Sequence, residues 1–418
     1  MPQRSADRIF YGWWVLAASV VIELFGLGFG IFAITTVYPY VIETFPAWDR
    51  TIVFLPTTII ITTAAVMAPV TGIAIDRYPI RWLFVGGILL QTAGLYAFSR
   101  VTTPTEYALA SFVVGLGLSG VTILPNQVLV SRWFHDRVGL VNGVILGATA
   151  MGAAISPPLI TAIVEQSDWR TGFRWIALLA FAAPMLVVLT VVRDRPEDLG
   201  LRPYGEGTRT GAPGDGITLA AAARTRGFWA LMAAVFFGGM PCYSFNKHIL
   251  VFLRESGFAP MAAAWMKGFF FFVSGCSRLS FGWLCDRFDR RRMALAHLAC
   301  IALGYPLILA VPAHPELLMP CLLVVGIGYG GLLPTIPILS IHLYGRAHLG
   351  TILGVYKIPY DVAAALAPLF TAKLYDLYGG YAVPERWNSA FAWIGLAIAV
   401  VGLARVDRVP AAGLEAPS

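Results

Sequence analysis

The sequence predicts an all-α polytopic membrane protein built as two parallel repeats of six transmembrane helices. Three observations predict it. Of 418 residues, 58% are hydrophobic and 13% charged, against about 25% charged in a soluble domain. Twelve stretches stay apolar over about 20 residues, the length at which a helix crosses a bilayer. Short signatures in the first half also recur in the second, about 210 residues on. With a mean hydropathy of +0.72, the chain has too few charged groups to cover a water-facing globule. That excludes a soluble enzyme, a disordered regulator and a disulfide scaffold.

The first six spans are expected at 12–40, 52–75, 82–99, 107–130, 139–164 and 173–192. The second six are expected at 228–252, 262–285, 293–312, 317–342, 349–374 and 387–404. Barrel strands would be shorter and alternate in polarity, and these runs do not. The opening apolar run is too long for a signal peptide and has no small-residue cleavage site, so no cleavable signal is expected. The Pro-, Gly- and charge-rich stretch 193–226 divides the chain. The expected units are 1–192, a linker 193–226, a second half 227–405 and a tail 406–418.

The net charge of +7 is not a nucleic-acid footprint, because most Lys and Arg sit in short loops and at span ends on one side of the membrane. The positive-inside rule places both termini and the linker in the cytoplasm, with the protein in the cell membrane. The five cysteines, Cys242, Cys276, Cys285, Cys300 and Cys321, have no CxxC or Cys/His spacing. They read as buried thiols, with no metal site expected.

The repeat is visible residue by residue. Gly72 to Arg77 (GIAIDR) lies over Gly282 to Arg287 (GWLCDR); Gly115 and Gly117 lie over Gly326 and Gly328; Gly143 and Pro157 lie over Gly354 and Pro368. Gly115 to Gly120 and Gly326 to Gly331 both fit G-x-G-x-x-G, but a dinucleotide site needs a strand before it. Inside apolar runs such glycines let helices approach closely, and no cofactor is expected.

The doubled Gly-x-x-x-Asp-Arg motif after the second helix of each half resembles the signature of the major facilitator superfamily. Pro79 stands where that pattern often has a Gly or a basic residue. Tyr11-Gly12-Trp13-Trp14, Trp133-Phe134, Trp169-Arg170 and Arg195-Pro196-Glu197-Asp198-Leu199-Gly200 are similar to the monocarboxylate transporter and oxalate–formate antiporter group. The resemblance covers essentially the whole chain. It implies twelve helices and transport by alternating access, without catalysis, and parallel six-helix repeats of this kind place their site at the midplane. Gly72, Asp76, Arg77, Gly282, Asp286 and Arg287 are expected to gate, by pairing with the neighbouring half in one conformation and releasing it in the other. Arg290, Arg291 and Arg292 read as topology determinants.

Charges inside spans need a reason. Arg278 lies roughly 12 Å from the inner end of its span, Lys357 roughly 14 Å and Glu23 roughly 18 Å, at about 1.5 Å per residue. The repeat register sets Ala68 and Leu146 opposite Arg278 and Lys357, so the two cations are additions to the second half. A guanidinium grips a carboxylate with two parallel bonds and an ammonium adds a point charge, which suits a small organic anion. The resemblance implies the same: Arg278 matches the substrate arginine of both groups, and Lys357 matches the lysine of the oxalate–formate antiporter. Ser274 replaces the aspartate of the animal carriers, and Glu23 does not replace their helix-1 lysine.

Alternatively, Lys357 pairs with Asp361 one turn on and Arg278 pairs with Glu23, leaving no charge for a substrate. Glu23 and Asp361 are also candidates for proton coupling. His248, at a place where a His is common in the family, and Tyr329 and Asn126 complete the expected substrate contacts. Tyr243, Tyr356 and Tyr360 are expected chiefly to pack. Pro125-Asn126 is also expected to kink its helix, and Lys247 to snorkel outward. The expected function is secondary transport of a mono- or dicarboxylate with a proton or a counter-anion, by a monomer in the lipid bilayer. A carrier of a neutral or cationic solute, drug or sugar, is the other reading. No nucleic-acid partner is expected.

Overall fold

The computed structural model describes residues 10–134, 138–205, 217–345 and 349–403. Among them the chain is almost wholly helical. The rods are α1 (Gly12–Thr44), α2 (Arg50–Arg77), α3 (Ile80–Phe98), α4 (Pro104–Trp133), α5 (Val138–Gln166) and α6 (Trp169–Thr190). They continue as α7 (Arg226–Glu255), α8 (Pro260–Arg287), α9 (Arg290–Ala310), α10 (Leu318–Tyr344), α11 (Leu349–Tyr378) and α12 (Ala382–Leu403). Ten of the described helices are long and apolar enough to cross a membrane; α8 and α12 match them in length but are not among the ten. Large apolar side chains such as Val66, Leu186 and Val401, 69%, 63% and 73% exposed, form a surface that lipid covers and water would not.

Local chemistry sets the ends. Thr103 and Glu106 form a capping box at the start of α4. Asp168 caps α6 by accepting the Thr171 N–H at 2.5 Å, and that bond holds its carboxyl below the usual carboxylate range. Gly257 and Gly379 turn the chain after α7 and α11 with φ of 89° and 71°, a region open to glycine. Cys242, Cys285 and Cys321 are buried, but Cys276 is exposed, contrary to the expectation for all five.

Two expectations about shape change. The Gly72–Arg77 and Gly282–Arg287 motifs are not loops: they form the last turns of α2 and α8. Nothing in the first motif breaks a helix until Pro79, which forces Tyr78 into an extended conformation with ψ 155°. The side chains of Asp76, Gly282 and Asp286 lie outside the described residues. In α4 the break falls at Thr122, whose ψ is −179°, three residues before Pro125. Proline lacks the N–H that would bond the Val121 carbonyl four residues back, so the chain opens there.

Glycines fix the spacing within each half. A Cβ on Gly117 of α4 would collide with the Gln91 backbone of α3, and one on Gly328 of α10 would sit 2.9 Å from the His297 carbonyl of α9. These repeat-equivalent contacts are where helix backbones touch. Gly117→Ala is expected to destabilise the protein by about 1–3 kcal/mol through overpacking, read as a lower melting temperature in detergent. Gly86→Ala, where a Cβ meets nothing within 4 Å, should leave it unchanged.

The halves meet tightly at the end that carries the α1–α2, α7–α8 and α11–α12 turns. Arg50 forms an ion pair with Glu255, and its guanidinium lies 3.8 Å over the Tyr375 ring. Asp376 accepts the Arg50 and Thr51 amides at 3.0 and 3.1 Å. Arg254 pairs with Glu43 at 2.8 Å, and Phe54 stacks on His248 at 3.6 Å. Deeper in, Thr58 donates to the Ala365 carbonyl at 2.5 Å. Lys267 of α8 donates to Thr35 of α1, so these contacts join α1 and α2 to α7, α8 and α11. At the opposite end a Cβ on Gly72, Gly143, Gly147 or Gly354 would meet nothing within 4 Å. The bundle is closed at the first of these ends.

Candidate functional site

Arg278 lies on α8 beside aromatic residues of the second half. Gly330 lets α10 press against α8, since a Cβ there would strike the Ser274 carbonyl, and this sets Tyr329 beside Arg278. The guanidinium lies 5.8 Å from the Tyr329 ring centroid, within reach of a cation–π attraction. The Tyr329 hydroxyl accepts from Asn246 Nδ2 at 3.1 Å. Tyr243 meets Tyr360 edge-on at 5.1 Å, and Tyr360 lies within electrostatic reach of both Arg278 and Asp361. Helices α7, α8, α10 and α11 therefore converge on one aromatic cluster with a cation in its wall.

Arg278 forms no ion pair among the described residues, and its Nε is buried without a hydrogen-bond partner. A buried guanidinium N–H left unmade is costly, and a planar donor fork in an aromatic setting fits a carboxylate. Lys357 differs from Arg278. It is bonded to Asp361 one turn on, with 64% of its side chain exposed, so the neutralising pairing holds for Lys357 and not for Arg278.

Glu23 is not the partner of Arg278. It is fully buried within the first half at the start of a π-helical turn, Glu23–Phe29, a feature frequent at functional sites. Its two oxygens accept from Asn126 Nδ2 and Thr149 Oγ1, each at 3.0 Å. Gly152 makes room for this turn, because a Cβ there would meet the Leu24 carbonyl. Asn126 thus holds Glu23 through its Nδ2, while its Oδ1 is buried without a partner; Thr149, a neutral residue, carries no charge signal in the sequence.

His248 is likewise engaged: Nδ1 lies 2.9 Å from the Tyr381 hydroxyl, Nε2 lies 2.9 Å from the Pro368 carbonyl, and the ring stacks on Phe54. It joins the halves at the closed end. Tyr356 packs against Phe228 and bonds Tyr344, away from the cluster. Lys247 does not snorkel: it is 3% exposed, over the Phe32 ring. Lys267, not singled out from the sequence, is fully buried; the signal for it is the eleven-residue spacing to Arg278, which returns to the same helix face.

At the end opposite the closed one Asp194 organises the first motif. It accepts the Ile80 and Arg81 amides at 2.5 and 3.2 Å and pairs with Arg132 at 3.6 Å. Arg77 lines the same cavity of about 490 Å³. Asp194 stood in the linker and was not expected there. Arg287 is exposed at the end of α8.

The family model described as Major Facilitator Superfamily matches residues 20–279 and again 248–417. The chain belongs to the major facilitator superfamily. It is a multi-pass membrane transporter, as members of that superfamily are, and not an enzyme. It is 22% identical to the uncharacterized MFS-type transporter YcxA of Bacillus subtilis (strain 168), over 80% of this chain and 81% of that one. Similarity extends to monocarboxylate transporter 12 of Homo sapiens, 21% identical over 72% of this chain and 62% of its relative. It extends also to the probable nitrate/nitrite transporter NarK2 of Mycobacterium tuberculosis, 26% identical over 73% and 75%. Among solved structures, a bacterial homolog of the human lysosomal transporter Spinster, inward-facing and occupied, superposes with a TM-score of 0.79 at 14% identity, covering 96% and 98%. That likeness shows the shared fold alone.

Proposed function

We propose that this transporter carries a small organic anion, most simply a mono- or dicarboxylate, with Arg278 as the group that grips it. The observation that carries the reading is the buried, partnerless Nε of Arg278 in an aromatic wall with no carboxylate paired to it. The printed names of two relatives, a monocarboxylate transporter and a probable nitrate/nitrite transporter, agree with an anionic cargo. Lys357 lies eight residues, roughly 12 Å, from the Thr58–Ala365 bond, on the side away from the closed end. It joins the site when the arriving carboxylate competes with Asp361.

All twelve rods span the membrane in this reading, with both termini and the 193–226 linker cytoplasmic. The closed end is then extracellular and the conformation inward-open. The halves 1–192 and 227–405 rock about Arg278, and the α2 and α8 ends, with Asp76, Arg77, Asp286 and Arg287, engage when the cytoplasmic side shuts. A monomer suffices. The sequence carries no ATP-binding motif, so the energy comes from a proton or a counter-anion gradient, with Glu23 as the proton site.

Purified protein in proteoliposomes is expected to take up labelled carboxylates from a panel of formate, lactate, oxalate and succinate. An inward proton gradient raises uptake if transport is symport; preloaded anion raises it if transport is exchange. Uptake of a sugar or a cationic dye with none of the four acids carried would overturn the anion reading.

A further inference from the structure

Two lysines buried at the closed end belong to no part of the site above. Lys247 on α7 and Lys267 on α8 are 3% and 0% exposed. Lys267 Nζ donates to Thr35 Oγ1 at 2.5 Å, with the Phe32 carbonyl at 3.5 Å, both on α1. Lys247 Nζ lies 5.0 Å from the centroid of the Phe32 ring, so both lysines flank Phe32. Among the described residues no carboxylate oxygen comes within 4.0 Å of either. Like charges drawn out of water with only a hydroxyl, a carbonyl and an aromatic face beside them are opposed by repulsion and by desolvation alike. An anion between them replaces the repulsion with attraction and offsets part of the desolvation cost.

Their position gives that anion a route. Lys267 precedes Arg278 by eleven residues, about three helical turns or roughly 16 Å, so both lie on one face of α8. Gly268 lets α8 lie against α5, since a Cβ there would sit 2.6 Å from the Ala154 carbonyl, and this seats Lys267 against α1. Lys247 adjoins Asn246, whose Nδ2 holds the Tyr329 hydroxyl beside Arg278. Asn246 Oδ1 is itself buried without a partner. The groups facing the lysines on α1 are polar or aromatic and uncharged, so nothing on that wall competes with the anion by charge.

We propose that Lys247 and Lys267 form a second anion subsite, uncovered when the halves part at the closed end, which passes a small carboxylate to or from Arg278. The proposal rests on the anion-transport reading. In the closed conformation α1 covers the subsite, with Thr35 and the Phe32 carbonyl taking the acceptor's place, so closure and anion release are one movement.

The test uses the full-length protein in proteoliposomes and whichever of formate, lactate, oxalate and succinate the wild type carries fastest. Initial rates are taken separately from the face closed in this structure and from the opposite face. Lys247→Gln, Lys267→Gln and the double variant are expected to raise KM at the closed face on the order of tenfold, with kcat within about twofold. KM at the opposite face should stay at the wild-type value, and Lys267→Arg, which keeps the charge, should restore the closed-face KM. In the wild type, raising ionic strength should raise KM more steeply at the closed face, a measurement that needs no variant to fold. A change in kcat without KM assigns the lysines to closure alone and overturns the subsite, as does an unchanged KM or equal salt dependence at the two faces. If Arg278→Ala loses transport while the lysine variants keep wild-type KM, the subsite fails and the anion reading stands. A wild type that carries none of the four acids overturns both.

Discussion

Arg278→Ala is expected to cut carboxylate uptake in proteoliposomes by at least about a hundredfold in kcat/KM, the effect of removing one partner of a desolvated charge pair, about 3 kcal/mol. The loss arises because Arg278 is the cation of the aromatic cluster that holds no carboxylate, while Lys357 already holds Asp361. Arg278→Lys keeps the charge but not the planar fork, and should recover part of the binding with KM still about tenfold above wild type. Expression and detergent elution should stay unchanged, because the guanidinium forms no ion pair within the bundle. Wild-type uptake by Arg278→Ala would sink the assignment of the site.

Glu23→Gln should separate coupling from movement. A carboxyl held only by the Asn126 amide and the Thr149 hydroxyl can exist with or without its proton, because a hydroxyl rotates to donate or to accept. Glutamine keeps the size and both bonding positions, so the π-helical turn and its contact at Gly152 survive. The expected result is loss of accumulation driven by a proton gradient, by about tenfold or more, with anion exchange at equal pH retained. Accumulation at the wild-type level would remove Glu23 from the coupling step. Loss of exchange as well would make Glu23 a structural post of the first half.

Much of the architecture was legible because a bilayer makes helices conspicuous: each must bury about 20 apolar residues in lipid. The doubled glycine positions were equally plain, since close backbone approach allows no side chain, and Gly117 and Gly328 sit where helix backbones touch. Depth along a helix was also readable, because it follows from residue count alone, and it singled out Arg278, Lys357 and Glu23. Partnership was not. Glu23 and Arg278 fell at similar levels on paper, yet Glu23 is bonded to Asn126 and Thr149 inside the first half. Lys267 stands seven residues inside the start of α8, and only its contact with Thr35 shows that its side chain is enclosed. Asp194, one acid among several in a charged linker, turned out to hold the start of α3 through two backbone amides.

By itself the sequence determined the membrane solvent, the recurrence of glycine positions between its halves and which apolar stretches carry a charge. These depend on composition and on spacing along one helix, quantities the chain states directly. The tertiary structure decided which charges meet. It closed one end of the bundle with Arg50, Glu255 and Asp376, paired Lys357 with Asp361 and left Arg278 without an acid. It also gave Glu23 neutral partners and enclosed two lysines together. The physical reason is that hydrogen bonds and ion pairs act over a few ångströms between helices distant in sequence, and the azimuth and tilt that bring two side chains that close are set by packing.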